Sequence, residues 1–254
     1  MTDMTGRVAL ITGAGSGIGR EMARMFASRG ATVVIADINA EGGRGTVAEV
    51  TKAGGRALFV RTDVSVEEDA RALVSSTLAA YGRLDFAVNN AGYDGQVLPL
   101  AEQSAEVFNK VIAVNLAGVF FGLKYQIPVM VKQGKGAIVN TASIAGLRAH
   151  PGIGPYVAGK HGVNGLTKTA AIEYGPHGIR VNALCPGGVR TPMLDEYLKS
   201  APELRASIID GNPLRRLGEA HEMAAVAVWL CSDEASYVNG HELVADGGKI
   251  VSDV

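Results

Sequence analysis

A doubly wound α/β fold is predicted from three observations: seven short β-rich runs, helical stretches between them, and a glycine-dense turn directly behind the first run. The runs lie at residues 7–11, 32–36, 56–61, 86–89, 136–141, 180–184 and 242–245. Several are apolar nearly throughout rather than alternating, which suits strands of a mostly parallel sheet buried on both faces by helices. The 254-residue chain shows no linker and no internal repeat, so the expectation is a single domain with one seven-stranded sheet.

Each element follows in order. Behind the first strand, Ile18, Met22, Met25 and Phe26 recur at helical spacing, in a helix beginning near Arg20. Val107, Val111 and Val114 mark a helix between the fourth and fifth strands, and Ala170 and Ile172 another between the fifth and sixth. Loop composition peaks at residues 146–155 and 186–213, where glycine, proline and charge interrupt the periodicity. The stretch at about 190–212 is expected to form a lid over a substrate.

The composition, 47% hydrophobic and 19% charged, is that of an ordinary globular protein. A formal net charge of -1 without a dense basic run argues against a nucleic-acid partner and favours a small molecule. The polar N-terminus and the brief apolar run that ends at Thr12 and Gly13 are too short for a signal peptide, and no stretch is read as long enough to span a bilayer. Cys185 and Cys231 lack CxxC or His-rich neighbours, so neither a disulfide framework nor a metal site is indicated. A reduced, cytoplasmic protein is expected.

The turn Thr12-Gly13-Ala14-Gly15-Ser16-Gly17-Ile18-Gly19 joins a strand to a helix. Glycines at Gly13, Gly17 and Gly19 would let a ligand approach the backbone, and the helix N-terminus would offer amides to a pyrophosphate. The spacing departs from GxGxxG, and alone it fits a tight strand-to-helix connection equally well. Asp37 adds to it, because a carboxylate about 20 residues on, at the end of the second strand, can bind the adenosine ribose hydroxyls. That favours NAD over NADP, since neither Ser16 nor Ile38 is the basic residue a ribose phosphate would need. Asp63-Val64 and Asn89-Asn90-Ala91-Gly92 follow the third and fourth strands, at the carboxyl ends where ligands of open Rossmann-type sheets bind.

Beyond the fifth strand come Ser143, then Tyr156 and Lys160 at i, i+4 spacing. On a helix both side chains share a face, and an ammonium beside a phenol favours the phenolate, bringing an oxygen acid/base toward neutral pH. As isolated residues they would be read as a surface helix. Taken together, Thr12 to Gly19, Asn89 to Gly92, Asn115, Ser143, Tyr156, Lys160 and Pro186-Gly187 resemble the short-chain dehydrogenase/reductase family over nearly the whole chain.

The resemblance implies that Tyr156 is the acid/base, that Ser143 orients the substrate oxygen and that Lys160 binds the nicotinamide ribose. It implies that Asn115 interrupts a helix and holds a water by its backbone, as a proton relay from Lys160; a helix-capping or core amide is the other reading. Pro186, Gly187 and Val189 would shape the nicotinamide pocket through backbone contacts, with Thr191 reaching the carboxamide or phosphate, and Ser16, Ile18, Ile38, Val64 and Ala91 completing the cofactor set. Gly188 fits plain turn chemistry. A homotetramer is also implied, with the helices around residues 105–131 and 157–174 pairing across a two-fold axis.

Substrate specificity is expected from residues 93–98, 144–153 and 193–212. Ile144, Leu147, Ile153, Met193, Leu194, Tyr197 and Leu198 would form a hydrophobic pocket, although ordinary packing under a loop accounts for each nearly as well. Arg148, His150 and Arg190 are read as solvated loop side chains rather than a clamp for charge. Met130, Asn140-Thr141-Ala142-Ser143, Arg190-Thr191-Pro192-Met193-Leu194 and Ala245-Asp246-Gly247-Gly248 look like members that oxidise cyclic or aryl secondary alcohols and diols. The competing readings are a 3-oxoacyl thioester reductase, a sugar or steroid dehydrogenase of the same family, and a non-catalytic NAD-binding scaffold. Asp37 opposes the first; the presence of Ser143, Tyr156 and Lys160 opposes the last.

Overall fold

The computed structural model describes residues 2–200 and 204–252. Seven parallel strands form the central sheet: β1 (Val8–Thr12), β2 (Thr32–Asp37), β3 (Arg56–Arg61), β4 (Phe86–Asn89), β5 (Gly136–Thr141), β6 (Ile179–Pro186) and, last in the chain, β9 (Glu242–Ala245). Their order is β3-β2-β1-β4-β5-β6-β9, so the winding reverses between β1 and β4 and opens a crevice at their carboxyl ends. Two short strands, β7 (Val189–Arg190) and β8 (Gly218–Glu219), pair separately.

Alternation along the buried strands divides the core into two layers. Ala9, Ile11, Val33, Ile35, Ala137 and Val139 face one way, toward α1 (Gly17–Ser28) and α9 (Ala220–Cys231). Leu10, Val34, Ile138 and Val181 face the other, toward α3 (Glu67–Tyr81), α5 (Gly118–Gln133) and α6 (Gly154–Tyr174). The outer helix α2 (Ala40–Lys52) covers β2 and β3. With both faces covered, the strands have no polar side, which is why they read as continuous apolar runs.

Several boundaries differ from the sequence expectation. β1 runs one residue later than 7–11, β6 extends beyond 180–184 at both ends, and α1 starts at Gly17 rather than near Arg20, because the last two glycines of the turn already lie in its first turn. Ile172 is 78% exposed, so it does not share the buried face of Ala170. α4 (Ala105–Ile112) continues through a π-helical turn, Ala113–Ala117, into α5.

The resulting helical run Ala105–Gln133 has 29 residues and contains an 18-residue window of mean hydropathy 1.4, long and apolar enough by those measures to cross a bilayer. The expectation that no stretch reaches that length is corrected to this extent. The run packs beside α3 and α6, with Val111, Val119, Leu123, Ile127 and Met130 buried. Of the stretch read as a lid, α7 (Pro192–Ser200) and α8 (Leu204–Asp210) are seen, while residues 201–203 lie outside the described residues.

Candidate active site

A cleft of about 900 Å³ runs along the carboxyl ends of β1, β2, β4, β5 and β6. At one end the glycine turn is stitched to the loop behind β4. Thr12 Oγ1 accepts hydrogen bonds from the amides of Asn90 and Ala91 at 2.9 and 3.1 Å, and Asn90 Nδ2 donates to the Thr12 carbonyl at 3.0 Å. This close approach requires glycine. A Cβ on Gly13, whose φ is +63°, would sit 2.8 Å from Ala91 Cα, and one on Gly19 would sit 2.2 Å from the Gly13 carbonyl oxygen.

Helix α1 then points its N-terminus into the cleft. Its N-cap Ser16 makes no side-chain cap and its first turn carries no acidic residue, so its leading amides are available to an anion. Ser16, Gly17, Ile18 and Gly19 all line the cleft, as do Asp37, Ile38, Asp63, Val64, Ala91 and Gly92. The Asp37 carboxylate is held at the floor by the amides of Gly15 and Asn39, both at 2.8 Å. Among the described residues the only basic side chains lining the cleft are Lys110 and Lys160, and neither stands on the β1–β2 loops with Asp37. The site therefore fits a dinucleotide: glycines where its backbone must be reached, free amides for its pyrophosphate, and a carboxylate for ribose hydroxyls.

At the other end β5 leads to Ser143, and α6 presents Tyr156 and, one turn on, Lys160. The Ser143 hydroxyl hydrogen-bonds the Tyr156 phenol. Lys160 is buried; its Nζ donates to the Thr141 carbonyl at 2.7 Å and lies 5.5 Å from the Tyr156 ring centroid. Burial pushes the Tyr156 phenol up to about 12, with the Ser143 hydrogen bond acting the other way, and pulls the Lys160 ammonium down to about 8. In the chain alone, desolvation is the largest influence on the Tyr156 phenol.

Of the residues given catalytic or cofactor roles from the sequence, Asn89 and Asn115 do not line the cleft. Asn89 faces the α5 side of the sheet, where its Nδ2 donates to Gln126 Oε1 at 3.1 Å and to Asn140 Oδ1 at 2.9 Å. Asn90 occupies the cleft instead. The signal was available: Ala87 faces α5, and a period of two puts Asn89 on the same side. Asn115 sits in the π turn, fully buried, and its amide clamps both backbone groups of Tyr93, at 2.8 and 2.6 Å. A Cβ built on Gly92 would lie 3.2 Å from Asn115 Oδ1 and 3.8 Å from Lys160 Nζ, so the two flank one backbone segment.

Pro186, Gly187, Gly188, Val189 and Thr191 form the far wall. Thr191 Cγ2 lies 3.4 Å from a Cβ position on Gly17, and its hydroxyl accepts from the Leu194 amide at 3.2 Å. Of the expected apolar pocket, Ile153, Met193, Leu194 and Tyr197 line the cleft, whereas Ile144 and Leu198 are buried beneath it and Leu147 packs on the core. Arg148 and His150 stay out of the cleft, and Arg190 pairs with Glu219 at 3.1 Å. Asp94, within the segment 93–98 expected to set specificity, lines it, as does Thr141, while Lys110 also lines it and has no signal in the sequence.

A family described as "Enoyl-(Acyl carrier protein) reductase" matches residues 13–249. The 2,5-dichloro-2,5-cyclohexadiene-1,4-diol dehydrogenase of Sphingobium indicum is 49% identical over 98% of both chains. The cyclohexanol dehydrogenase of an Acinetobacter species is 44% identical over 95% of this chain and 94% of its own. The crystal structure of levodione reductase superposes with a TM-score of 0.95 at 43% identity, covering 98% of this chain and 99% of that one. The chain belongs to the short-chain dehydrogenase/reductase family and is an oxidoreductase that acts on CH–OH groups with a nicotinamide dinucleotide.

Proposed function

We propose that this chain interconverts a hydrophobic cyclic or aryl secondary alcohol or diol and its ketone, with NAD as the dinucleotide. The observation that carries the reading is the juxtaposition of the Ser143–Tyr156 pair with a wall of Ile153, Met193, Leu194 and Tyr197 in one cleft. The names of the Sphingobium and Acinetobacter relatives, a cyclic diol and a cyclic alcohol dehydrogenase, support it.

Gly13, Ser16, Gly17, Ile18 and Gly19 would hold the pyrophosphate, Asp37 and Ile38 the adenosine, Asp63, Val64 and Ala91 the adenine-side floor, Gly92 the segment beside Lys160, and Pro186, Gly187, Val189 and Thr191 the nicotinamide end. When bound, the nicotinamide supplies the hydride acceptor or donor. Ser143 orients the substrate oxygen toward Tyr156. In oxidation the Tyr156 oxygen takes the hydroxyl proton; in reduction it returns one. Lys160, fixed by the Thr141 carbonyl, would hold the nicotinamide ribose and keep positive charge near the phenol. Asn115 is the relay residue, because a π turn opens the main-chain ladder beside Lys160.

Asp37 carries the preference for NAD: a ribose phosphate would meet a carboxylate and no cation from the cleft wall nearby. The same feature disfavours a 3-oxoacyl thioester reductase using NADPH. The segment at about 190–212 closes over substrate as a lid, with Met193, Leu194 and Tyr197 on its inner side. Exposed Phe108, Phe120 and Ile172 on α4, α5 and α6 support pairing of these helices in a homotetramer. Two buried free thiols, Cys185 and Cys231, support a cytoplasmic setting.

The test is NADH formation from aliphatic, cyclic and aryl secondary alcohols, sugars and steroids, with NAD and NADP in parallel. Strong NAD-linked oxidation of a cyclic or aryl class is expected. Turnover with NADP only would overturn the role of Asp37, and turnover confined to sugars would overturn the substrate class.

A further inference from the structure

Among the described residues three carboxylates line the cleft: Asp37, Asp63 and Asp94. Asp37 ends β2 and Asp63 follows β3, and both are held by nearby hydrogen-bond donors. Asp37 accepts from the amides of Gly15 and Asn39, and Asp63 accepts from the Ser65 amide at 3.0 Å and the Ser65 hydroxyl at 2.6 Å. Asp94 is different in both place and surroundings. It lies two residues beyond Gly92, close enough to Tyr156 for its charge to push the phenol upward, and it shares the catalytic end of the cleft with Ile153, Met193, Leu194 and Tyr197.

Its hydrogen bonds among the described residues come from backbone only, from its own N–H and that of Gly95. Lys110 also lines the cleft, but its Nζ is stacked over the Tyr93 ring at 4.7 Å and forms no ion pair with Asp94. Burial and the charge of Glu196 both hold the Asp94 carboxyl above its ordinary range. An ionised carboxylate has room for about four hydrogen bonds. Two are used, and because Asp94 is only partly buried on the cleft wall, its remaining lone pairs face the cleft, where a bound substrate must replace the water it displaces.

We infer that Asp94 selects the substrate: its carboxylate accepts a hydrogen bond from a second hydroxyl group, so that diols and hydroxyketones are preferred over mono-alcohols. The inference rests on the reading above that Ser143 and Tyr156 receive the reacting oxygen. A diol can then engage both ends of the pocket at once. A mono-alcohol would lay hydrocarbon against a carboxylate and strip its water without replacing it, a penalty that discriminates more strongly than the mere loss of a contact.

The experiment compares kcat/KM for cyclohexanol and for the isomeric cyclohexanediols with NAD, in the wild type, Asp94→Asn and Asp94→Leu, with NAD affinity measured separately for each. In the wild type at least one diol is expected to exceed cyclohexanol by roughly ten- to a hundredfold. Asp94→Leu should bring that ratio close to one, and Asp94→Asn, which keeps a neutral acceptor, should retain part of it. Because the ratio is taken within one protein, a partly misfolded variant leaves it readable. Turnover of cyclohexanol with no diol preference, or a ratio unmoved in Asp94→Leu, overturns the role of Asp94 alone. A wild type that binds NAD yet turns over none of these alcohols overturns the cyclic-alcohol reading and this inference with it.

Discussion

The Lys160 ammonium is anchored to the Thr141 carbonyl, at 2.7 Å, and not to the phenol it accompanies. Strand β5 ends at Thr141, so the sheet itself sets the height of Lys160 beneath Tyr156, and α6 sets the direction. Such an anchor leaves the charge in place while protons move at the tyrosine. It also buries a cation with one main-chain partner, which is a cost to folding.

That cost has a pH signature. The folded chain holds Lys160 near 8 against an ordinary value of 10.5, so between those limits the unfolded chain binds a proton that the folded chain has lost. Stability contributed by Lys160 is therefore fully present above pH 10.5 and is lost as pH falls through 8, a difference of roughly 3 kcal/mol. Lys160→Met should abolish this part of the slope, measured by urea denaturation of the apo protein from pH 7 to about 10.5. Equal slopes in both proteins would mean that Lys160 is solvated in the folded chain.

Tyr156→Phe should lower kcat/KM by at least about a hundredfold while NAD affinity changes little, since it removes the proton-transfer oxygen and keeps the ring beside Lys160. Steady-state kinetics with isothermal titration of NAD measures both. In the wild type the oxidation rate should rise with pH, because burial holds the proton on the phenol. Near-normal turnover in the variant would remove Tyr156 from the chemistry.

What the sequence conveyed well was whatever depends on local pattern. The apolar runs are visible because a parallel strand covered on both faces has no polar side, and Gly13 and Gly19 are visible because a close backbone approach tolerates no Cβ. Asn89 was misplaced because a four-residue motif was read as a block, whereas strand alternation sends its first amide into the core and its second into the cleft. The side-chain work of Asn115 depends on a π turn and on the backbone of Tyr93, 22 residues away, neither of which has a composition signal. The anchor of Lys160 is a main-chain carbonyl, equally silent in side-chain chemistry, and the displaced proton affinities of Tyr156 and Lys160 follow from burial that only the assembled fold creates.

Asp37→Ala should narrow the preference for NAD over NADP by at least about tenfold in the ratio of kcat/KM values. The variant removes both a ribose acceptor and the charge that repels a ribose phosphate. It also frees the Gly15 amide, so affinity for both dinucleotides should weaken somewhat. An unchanged ratio, with both affinities reduced together, would make Asp37 a brace for the glycine turn and nothing more.

The amides behind the cleft should separate folding from function. Asn89, Gln126 and Asn140 share hydrogen bonds of 2.8 to 3.1 Å, and Asn140 passes the chain on to Thr167 Oγ1 at 2.9 Å. All are buried, so Asn89→Leu strands polar groups on α5 and β5 that no water reaches. Each unmet group costs about 1–3 kcal/mol, and destabilisation of that order is expected in urea denaturation. The affinity of the folded fraction for NAD should fall less than in Asp37→Ala, because Asn89 presents no side chain to the cleft. A variant that keeps wild-type stability but loses NAD binding would reverse the assignment and return Asn89 to the cofactor site.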